Sequence, residues 1–399
     1  MKILIISHMY PSSFSEVGGI FVHQQVKELQ VQGCELKVIS PVPWTPFPVK
    51  YFSRKWKEYS RVPAKMVWDG IEVYYPRYLE FPRSLFFSSS GKRMYSGITK
   101  LADDLYRDFE FDIIHANVAL PDGFAAMMLK RRYNKPLVVT IHGQDLQVTL
   151  YRNDRCKKAL TKVFEQADRV VTVSNKLKEI AKGGIGFPEK VVVVNNGIDP
   201  GETAPANGIL TSKYAGCKVM LSVSHLIATK GLDLNIKPIS QLVKKYTNLK
   251  YLVIGAGPEL PYLRQLTHDL NLDRQVEFLG ELPHEKVMEY MAVADIFSLP
   301  SWNEGFGVVY LEAMAHGKPA IACEGEGIAD VIENNKTGLL VAPKDVESLA
   351  RAIEFLLDNP DKAHGIGERA KKLVLENYTW ENNAQRCTEI YERLLAHDE

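Results

Sequence analysis

The stretch Asp295–Gly325, DIFSLPSWNEGFGVVYLEAMAHGKPAIACEG, holds a complete strand–helix–strand unit. DIFSLPS (295–301) and KPAIACEG (318–325) are near-continuous apolar runs, and the pattern between them, up to His316, is helical. Two such strands joined through a helix pair in parallel, buried on both faces, with a right-handed crossover. Gly305 and Gly307 precede the helix and admit a ligand close to the backbone. A helix start of this kind favours an anion, most simply a diphosphate. Glu304 stands in the loop and Glu312 in the helix. Eight helical residues rise ~12 Å, so the two carboxylates can meet two parts of one elongated ligand.

The same unit recurs outward along the chain. In the first half KILIIS (2–7), ELKVIS (35–40), FDIIHA (111–116), PLVVTIHG (136–143), RVVTVS (169–174) and KVVVVNNG (190–197) alternate with helical patterns. In the second half KVMLSVS (218–224), KYLVIGAG (250–257), QVEFLG (275–280) and GLLVAP (338–343) join the two strands already named. The expected fold class is α/β, with two Rossmann-like, doubly wound parallel-sheet domains facing across a cleft. The aperiodic segment 198–216 separates them. This gives a first domain over 1–200, a second over 201–377, and an amphipathic last helix over 378–399 that returns to the first domain.

A chain of 399 residues exceeds the size, ~250–300, at which a single core stops growing. Lys+Arg number 49 and Asp+Glu 48, so no general attraction for nucleic acid is expected. The five cysteines are scattered without CxxC spacing, which argues against a disulfide framework and a cysteine zinc site and fits a reducing cytoplasm. The apolar run in MKILIISHMY is too short for a signal peptide, and no run reaches the ~18 apolar residues of a membrane span.

One segment breaks the charge balance. Between Lys50 and Lys65 lie six Lys/Arg and one acid, Glu58, interleaved with Tyr51, Phe52, Trp56 and Tyr59. It reads either as a solvated loop or as a surface for peripheral contact with an anionic membrane or acceptor. Elsewhere, Gly18–Gly19 precede a helical pattern after the first strand, and Lys230 stands at a helix start after KVMLSVS, both placed to meet phosphate. His115 and Asn117 in HANVALPDG, and His142 and Asp145 in TIHGQD, are expected at carboxyl strand ends. Gly255 and Gly257 imitate a dinucleotide fingerprint, but Leu260 replaces its third glycine, so nicotinamide is not expected. No Asp-x-Asp or His/Cys cluster has ligand spacing, so neither metal nor organic cofactor is expected.

LPSWNEGFGVVYLEAMAHGKP (299–319), together with the early glycine pair, HANVALPDG, TIHGQD, VSNKLK, NNGID, LIATKG, VIGAGPE, VEFLGELP and YTWENNAQR, resembles family 4 of the retaining glycosyltransferases, of GT-B fold. The resemblance runs over almost the whole chain and looks nearest to enzymes of bacterial cell-envelope or extracellular polysaccharide synthesis, teichuronic acid assembly included. It implies metal-independent transfer from a nucleotide-diphosphate sugar, UDP- or GDP-linked, to a glycan or lipid-linked acceptor. It further implies that Glu304 meets the donor sugar, Glu312 the ribose and Lys230 the diphosphate. Gly280 to Leu282 would lie near the base, and Phe306, Gly307 and Val308 would offer N–H groups. Gly18 and Gly19 would close over the phosphates, with His142 at the reacting centre. The leaving diphosphate would help deprotonate the acceptor on the same face.

Two positions depart from the family pattern. His225, among the donor-binding residues, stands where an arginine is usual, and Glu326 in EGEGIADVI stands where a glycine is usual. Glu326 either touches donor or acceptor or faces solvent. His115, Asn117 and Asp145 are the other candidates for acceptor or sugar contacts. Two alternatives stay open: a nucleotide-sugar 2-epimerase or hydrolase on the same fold, and a non-catalytic nucleotide-sugar binder.

Overall fold

A computed structural model describes residues 1–51, 53–203 and 205–396. Phe52 of the basic segment and residues 397–399 of the expected last helix lie outside the described residues. The chain forms two compact units, Met1–Asn196 with Trp380–Glu399, and Gly197–Thr379.

The first unit contains the strands β1 (Lys2–Ile6), β2 (Glu35–Ile39), β3 (Val42–Pro43), β4 (Lys65–Trp68), β5 (Ile71–Tyr74), β6 (Arg77–Tyr78), β7 (Ile113–Asn117), β8 (Leu137–Ile141), β9 (Arg169–Thr172) and β10 (Val191–Val193). Its main sheet runs β10-β9-β8-β7-β1-β2-β5-β4, and β3 pairs with β6 apart from it. The helices are α1 (Ile20–Val31), α2 (Arg54–Arg61), α3 (Ser90–Phe109), α4 (Phe124–Tyr133), α5 (Leu150–Arg152), α6 (Asp154–Gln166) and α7 (Asn175–Gly184). The central strands are buried along their whole length, because helices cover both faces. The second unit is wholly parallel, in the order β13-β12-β11-β14-β15-β16. These are β11 (Lys218–Val223), β12 (Leu249–Ile254), β13 (Val276–Gly280), β14 (Ile296–Ser298), β15 (Ala320–Cys323) and β16 (Leu339–Val341). Around them lie α8 (Gly208–Lys213), α9 (Leu232–Leu242), α10 (Leu260–Asp269), α11 (His284–Val293), α12 (Val308–Ala315), α13 (Val346–Asp358) and α14 (Pro360–Asn377).

The last helix, α15 (Trp380–Leu395), packs in the first unit. Its Ala384, Cys387 and Tyr391 share a core with Val22, Val26 and Leu29 of α1. Buried polar bonds fix its register. The Gln25 amide donates to Asn383 Oδ1 at 2.7 Å, and Asn383 Nδ2 donates to the Asn195 carbonyl at 2.7 Å.

The basic segment is more than a loop. It contains α2 and runs into β4. β4 and β5 form an antiparallel hairpin about Asp69–Gly70, with φ of 45° and 81°. Two left-handed residues match the tight turn whose twist suits paired strands. This hairpin extends the sheet by two strands that apolar runs alone do not reveal.

The strand orders hold two switch points. β1 has β2 on one side and β7 on the other, while β11 has β12 on one side and β14 on the other. Where strand order reverses, the connecting loops diverge and leave a crevice at the carboxyl ends.

Candidate functional site

In the second unit the switch point lies between residues 224–231, leading into α9, and residues 299–307, leading into α12. The two loops are stitched together. The Trp302 N–H donates to the Thr229 carbonyl at 3.0 Å, and Ser301 Oγ donates to it at 3.1 Å. This brings Lys230 Nζ onto Glu304 Oε2, with side chains 18% and 16% exposed. Glu326, buried in the loop after β15, accepts the Glu304 N–H at 2.6 Å. Phe306 is buried beneath the loop, and Val308 opens α12 half-buried. Gly307, at φ 94°, caps α12 with no side-chain cap bond, so its first N–H groups are not taken by a capping side chain. A Cβ at Gly307 would lie 2.7 Å from the Tyr310 ring, and Tyr310 is wholly buried.

Further along α12, Glu312 Oε1 meets His284 Nε2 at 3.1 Å. His284 Nδ1 lies 3.8 Å from Glu202. The hydrogen bond to Glu312 raises the His284 imidazole above its ordinary value, against burial, and Glu312 and Glu202 add charge. Gly280 ends β13 with φ 72° and Leu282 is half-buried beyond it, while His225 is exposed after β11. The structure thus joins Lys230, Glu304, Glu326 and Gly307 in one group. It gives Glu312 a partner, His284, that no motif signals.

In the first unit the switch point lies between β1 and β7. His142, just past β8, has Nε2 2.9 Å from Asn117 Oδ1 at the end of β7. Its ring packs 4.7 Å from Phe21 in the first turn of α1. Gly19, at φ 73°, caps that helix, and Gly18 precedes it. His142 Nδ1 and Asn117 Nδ2 are buried without a hydrogen-bond partner among the described residues. Burial, with His115 adding to it, lowers His142 to about 3, so its ring is neutral in the working range. Asp145 is buried. Its Oδ1 accepts the Leu120 N–H at 3.3 Å, and its Oδ2 has no partner among the described residues. Burial outweighs the nearby backbone N–H groups and raises this carboxyl to about 7.

His115 requires a correction. It sits in the middle of β7 rather than at its end, and it is wholly buried. Its Nδ1 meets the Tyr391 hydroxyl at 2.6 Å and its Nε2 meets Thr140 Oγ1 at 2.8 Å. Nδ1 ties the sheet to α15 and Nε2 ties β7 to β8, and burial lowers the ring to about 4. A pair absent from the sequence reading takes the switch-point position instead. His8, just after β1, meets Asp122, which is wholly buried in the turn after β7.

Known proteins share this plan. Residues 18–202 match the family model described as Glycosyltransferase Family 4, and residues 211–373 the one described as Glycosyl transferases group 1. The chain is 30% identical over 358 residues to the putative teichuronic acid biosynthesis glycosyltransferase TuaC of Bacillus subtilis, covering 88% of each. Sucrose-phosphate synthase from Thermosynechococcus elongatus superposes over the whole of both chains with a TM-score of 0.82 at 21% identity. HepE of Anabaena, solved in complex with UDP, does so over 98% of this chain and 100% of its own, with a TM-score of 0.76 at 18% identity. Two doubly wound units, each matched by a glycosyltransferase model, and a relative at this identity over most of its length show that the chain belongs to glycosyltransferase family 4 and has the GT-B fold.

Proposed function

We propose that this glycosyltransferase moves a sugar from a UDP- or GDP-sugar, with retention, to a hydroxyl of a glycan or lipid-linked acceptor in cell-envelope or extracellular polysaccharide synthesis. The observation that carries the reading is the Lys230–Glu304 pair beside the start of α12 at a switch point. A diphosphate takes the Lys230 charge and the N–H groups after Gly307. Glu304, released from Lys230, accepts hydrogen bonds from the sugar. Glu312 does the same for the ribose, and the backbone of Gly280 to Leu282 meets the base. Glu326 holds the Glu304 loop by its N–H. Within the first unit, Gly18–Gly19 at the start of α1 suit a phosphate, and His142, Asn117 and Asp145 suit sugar or acceptor hydroxyls. Lys230 and α12 stabilise the leaving diphosphate without a metal. The UDP complex of HepE supports a uridine donor, and the name of TuaC supports a wall-polymer acceptor.

A screen of UDP-, GDP- and ADP-sugars should raise the melting temperature with at least one donor. Glu304→Ala should cut turnover by about 10²–10³-fold, as removal of a positioned transition-state contact does. No donor-induced shift and no turnover, or full activity in Glu304→Ala, would overturn this reading.

A peripheral role at an anionic membrane belongs to the same proposal. Arg54, Lys55, Lys57 and Arg61 of α2 are exposed, and so are Trp44, Phe47 and Tyr51 before it. Arg77 donates to the carbonyls of Tyr59 and Val62, tying α2 to an open groove of about 510 Å³ lined by Trp44, Leu79 and Arg93 among others. Cations among exposed aromatics suit an anionic lipid surface. No helix among the described residues is long and apolar enough to cross a membrane. Co-flotation should occur with anionic but not zwitterionic vesicles and should weaken as salt rises. Flotation indifferent to both would rule this segment out as the cause.

A further inference from the structure

We propose that His284 is a positioning residue of the nucleotide subsite, holding the Glu312 carboxylate for the ribose and tying it to the loop that meets the base. This rests on the reading above that Glu312 accepts from the ribose and that the backbone of Gly280 to Leu282 meets the base, and every residue used lies in the second unit. His284 Nε2 lies 3.1 Å from Glu312 Oε1. An ionised carboxylate only accepts, so Nε2 is the donor. Among the described residues this is the one hydrogen bond of the Glu312 side chain, which is 19% exposed and keeps Oε2 for a guest. A carboxylate tied through one oxygen and open at the other has less freedom to lose when a diol binds.

The placement of the histidine favours this role over one in the helix itself. His284 is the first residue of α11, and its N-cap, Pro283, makes no side-chain cap bond. A cation there opposes the helix dipole. Carboxylates offset that cost: Glu312, Glu202 at 3.8 Å from Nδ1, and Glu285 next in the helix. The Glu312 hydrogen bond leads them in raising the imidazole above its ordinary value, against burial. As an ion pair between groups 42% and 19% exposed, the contact adds little to stability. Its effect falls on where Glu312 stands.

The contact also joins two segments of the site. β13 ends at Gly280, with φ 72°, and residues 281–283 lead straight into His284. Further along α11, Glu289 Oε2 accepts from Asn207 Nδ2 at 2.7 Å, which pins the helix. α12 starts beside the Lys230–Glu304 pair and carries Glu312 one turn in. The His284–Glu312 bond therefore fixes the spacing between the segment that meets the base and the helix that meets diphosphate and ribose. One nucleoside diphosphate touches all three, and a spacing fixed beforehand leaves less ordering to the binding step.

The test uses the full chain and calorimetric titration with UDP, GDP and ADP, then with the 2′,3′-dideoxy form of the tightest. Wild type should favour the ribose form, and Glu312→Ala should erase that preference. His284→Ala should weaken the ribose form about tenfold, the net worth of one hydrogen bond, and leave the dideoxy form within about twofold. His284→Gln, whose amide supplies a donor at the same place, should recover most of the loss. Thermal melts check folding; should His284→Ala melt early, His284→Leu, which fills the space without a donor, carries the test. If His284→Ala weakens both forms equally, or neither, while Glu312→Ala erases the preference, the inference is overturned and the reading of Glu312 stands. No binding of any of the three, no preference in wild type, or a preference kept in Glu312→Ala overturns that reading and the inference with it.

Discussion

Asp145 keeps a buried carboxyl group that ionises near 7, and one of its oxygens has no partner among the described residues. Between about pH 4 and about pH 7 the folded chain holds a proton there that the unfolded chain has already released. Its contribution to stability is therefore complete in acid, falls as pH rises through that window, and is constant above it. Asp145→Asn removes the titration at nearly constant shape. The melting temperature of the variant, relative to wild type, should rise from pH 4.5 to pH 7 and then level off; a flat difference across that range would refute the assignment. At this scale the sequence was legible where residues lie in one local motif. The placement of Glu304 in the loop and Gly307 at the start of α12 is readable because a strand, a loop and a helix announce themselves in order. His8–Asp122 and His284–Glu312 are not, because their partners lie 114 and 28 positions apart and only the sheet order joins them. His115 was misplaced because every residue of β7 is buried, so no alternation tells which side chain ends the strand.

Among the elements, α12 and the loop before it depend on one backbone conformation. Gly307 and Gly325 both have left-handed φ, 94° and 72°. Alanine at either position carries a cost of about 1–2 kcal/mol from that conformation alone. A Cβ at Gly325 meets nothing within 4 Å, whereas at Gly307 it strikes the buried Tyr310 ring and comes within 3.2 Å of Glu304 Cγ. Thermal melts should show a mild loss for Gly325→Ala and a larger one for Gly307→Ala, and calorimetry should show that only Gly307→Ala loses nucleoside diphosphate binding. Equal losses would mean that the Tyr310 contact is unimportant. The repeat of apolar strand and helix made most elements readable. The GAG stretch looked like a nucleotide loop for a different reason. A Cβ at Gly255 would lie 1.9 Å from the Ser224 carbonyl, and one at Gly257 would lie 2.3 Å from that of Leu226. These glycines let the end of β12 press on the loop that carries His225 and Lys230. The β4–β5 hairpin went unread because its strands are short and only half-buried, so their apolar signal is weak.

For the whole molecule, the first unit is discontinuous and the second is one continuous piece. Residues 197–379 expressed alone should unfold cooperatively and bind nucleoside diphosphate. Residues 1–196 alone lack α15, which leaves His115 without Tyr391, Gln25 without Asn383, and the apolar stripe of α1 uncovered. That piece should associate or precipitate, and chromatography with light scattering checks it; a stable monomeric 1–196 would show that α15 is dispensable. The need for a closing helix was legible in the amphipathic tail, but its docking surface was not, since polar pairs such as Gln25 and Asn383 leave no periodic mark.

The Ile198 N–H donates to the Tyr378 carbonyl at 3.0 Å, and Ile198 forms a parallel bridge with Thr379. The second unit therefore begins and ends at neighbouring points, like a bead held by a single knot in a loop of string. Recombination could exchange such a cassette in one event, leaving the path of the host chain unchanged at both junctions. Lineages built this way can replace the second unit by grafting while they retain the inherited first.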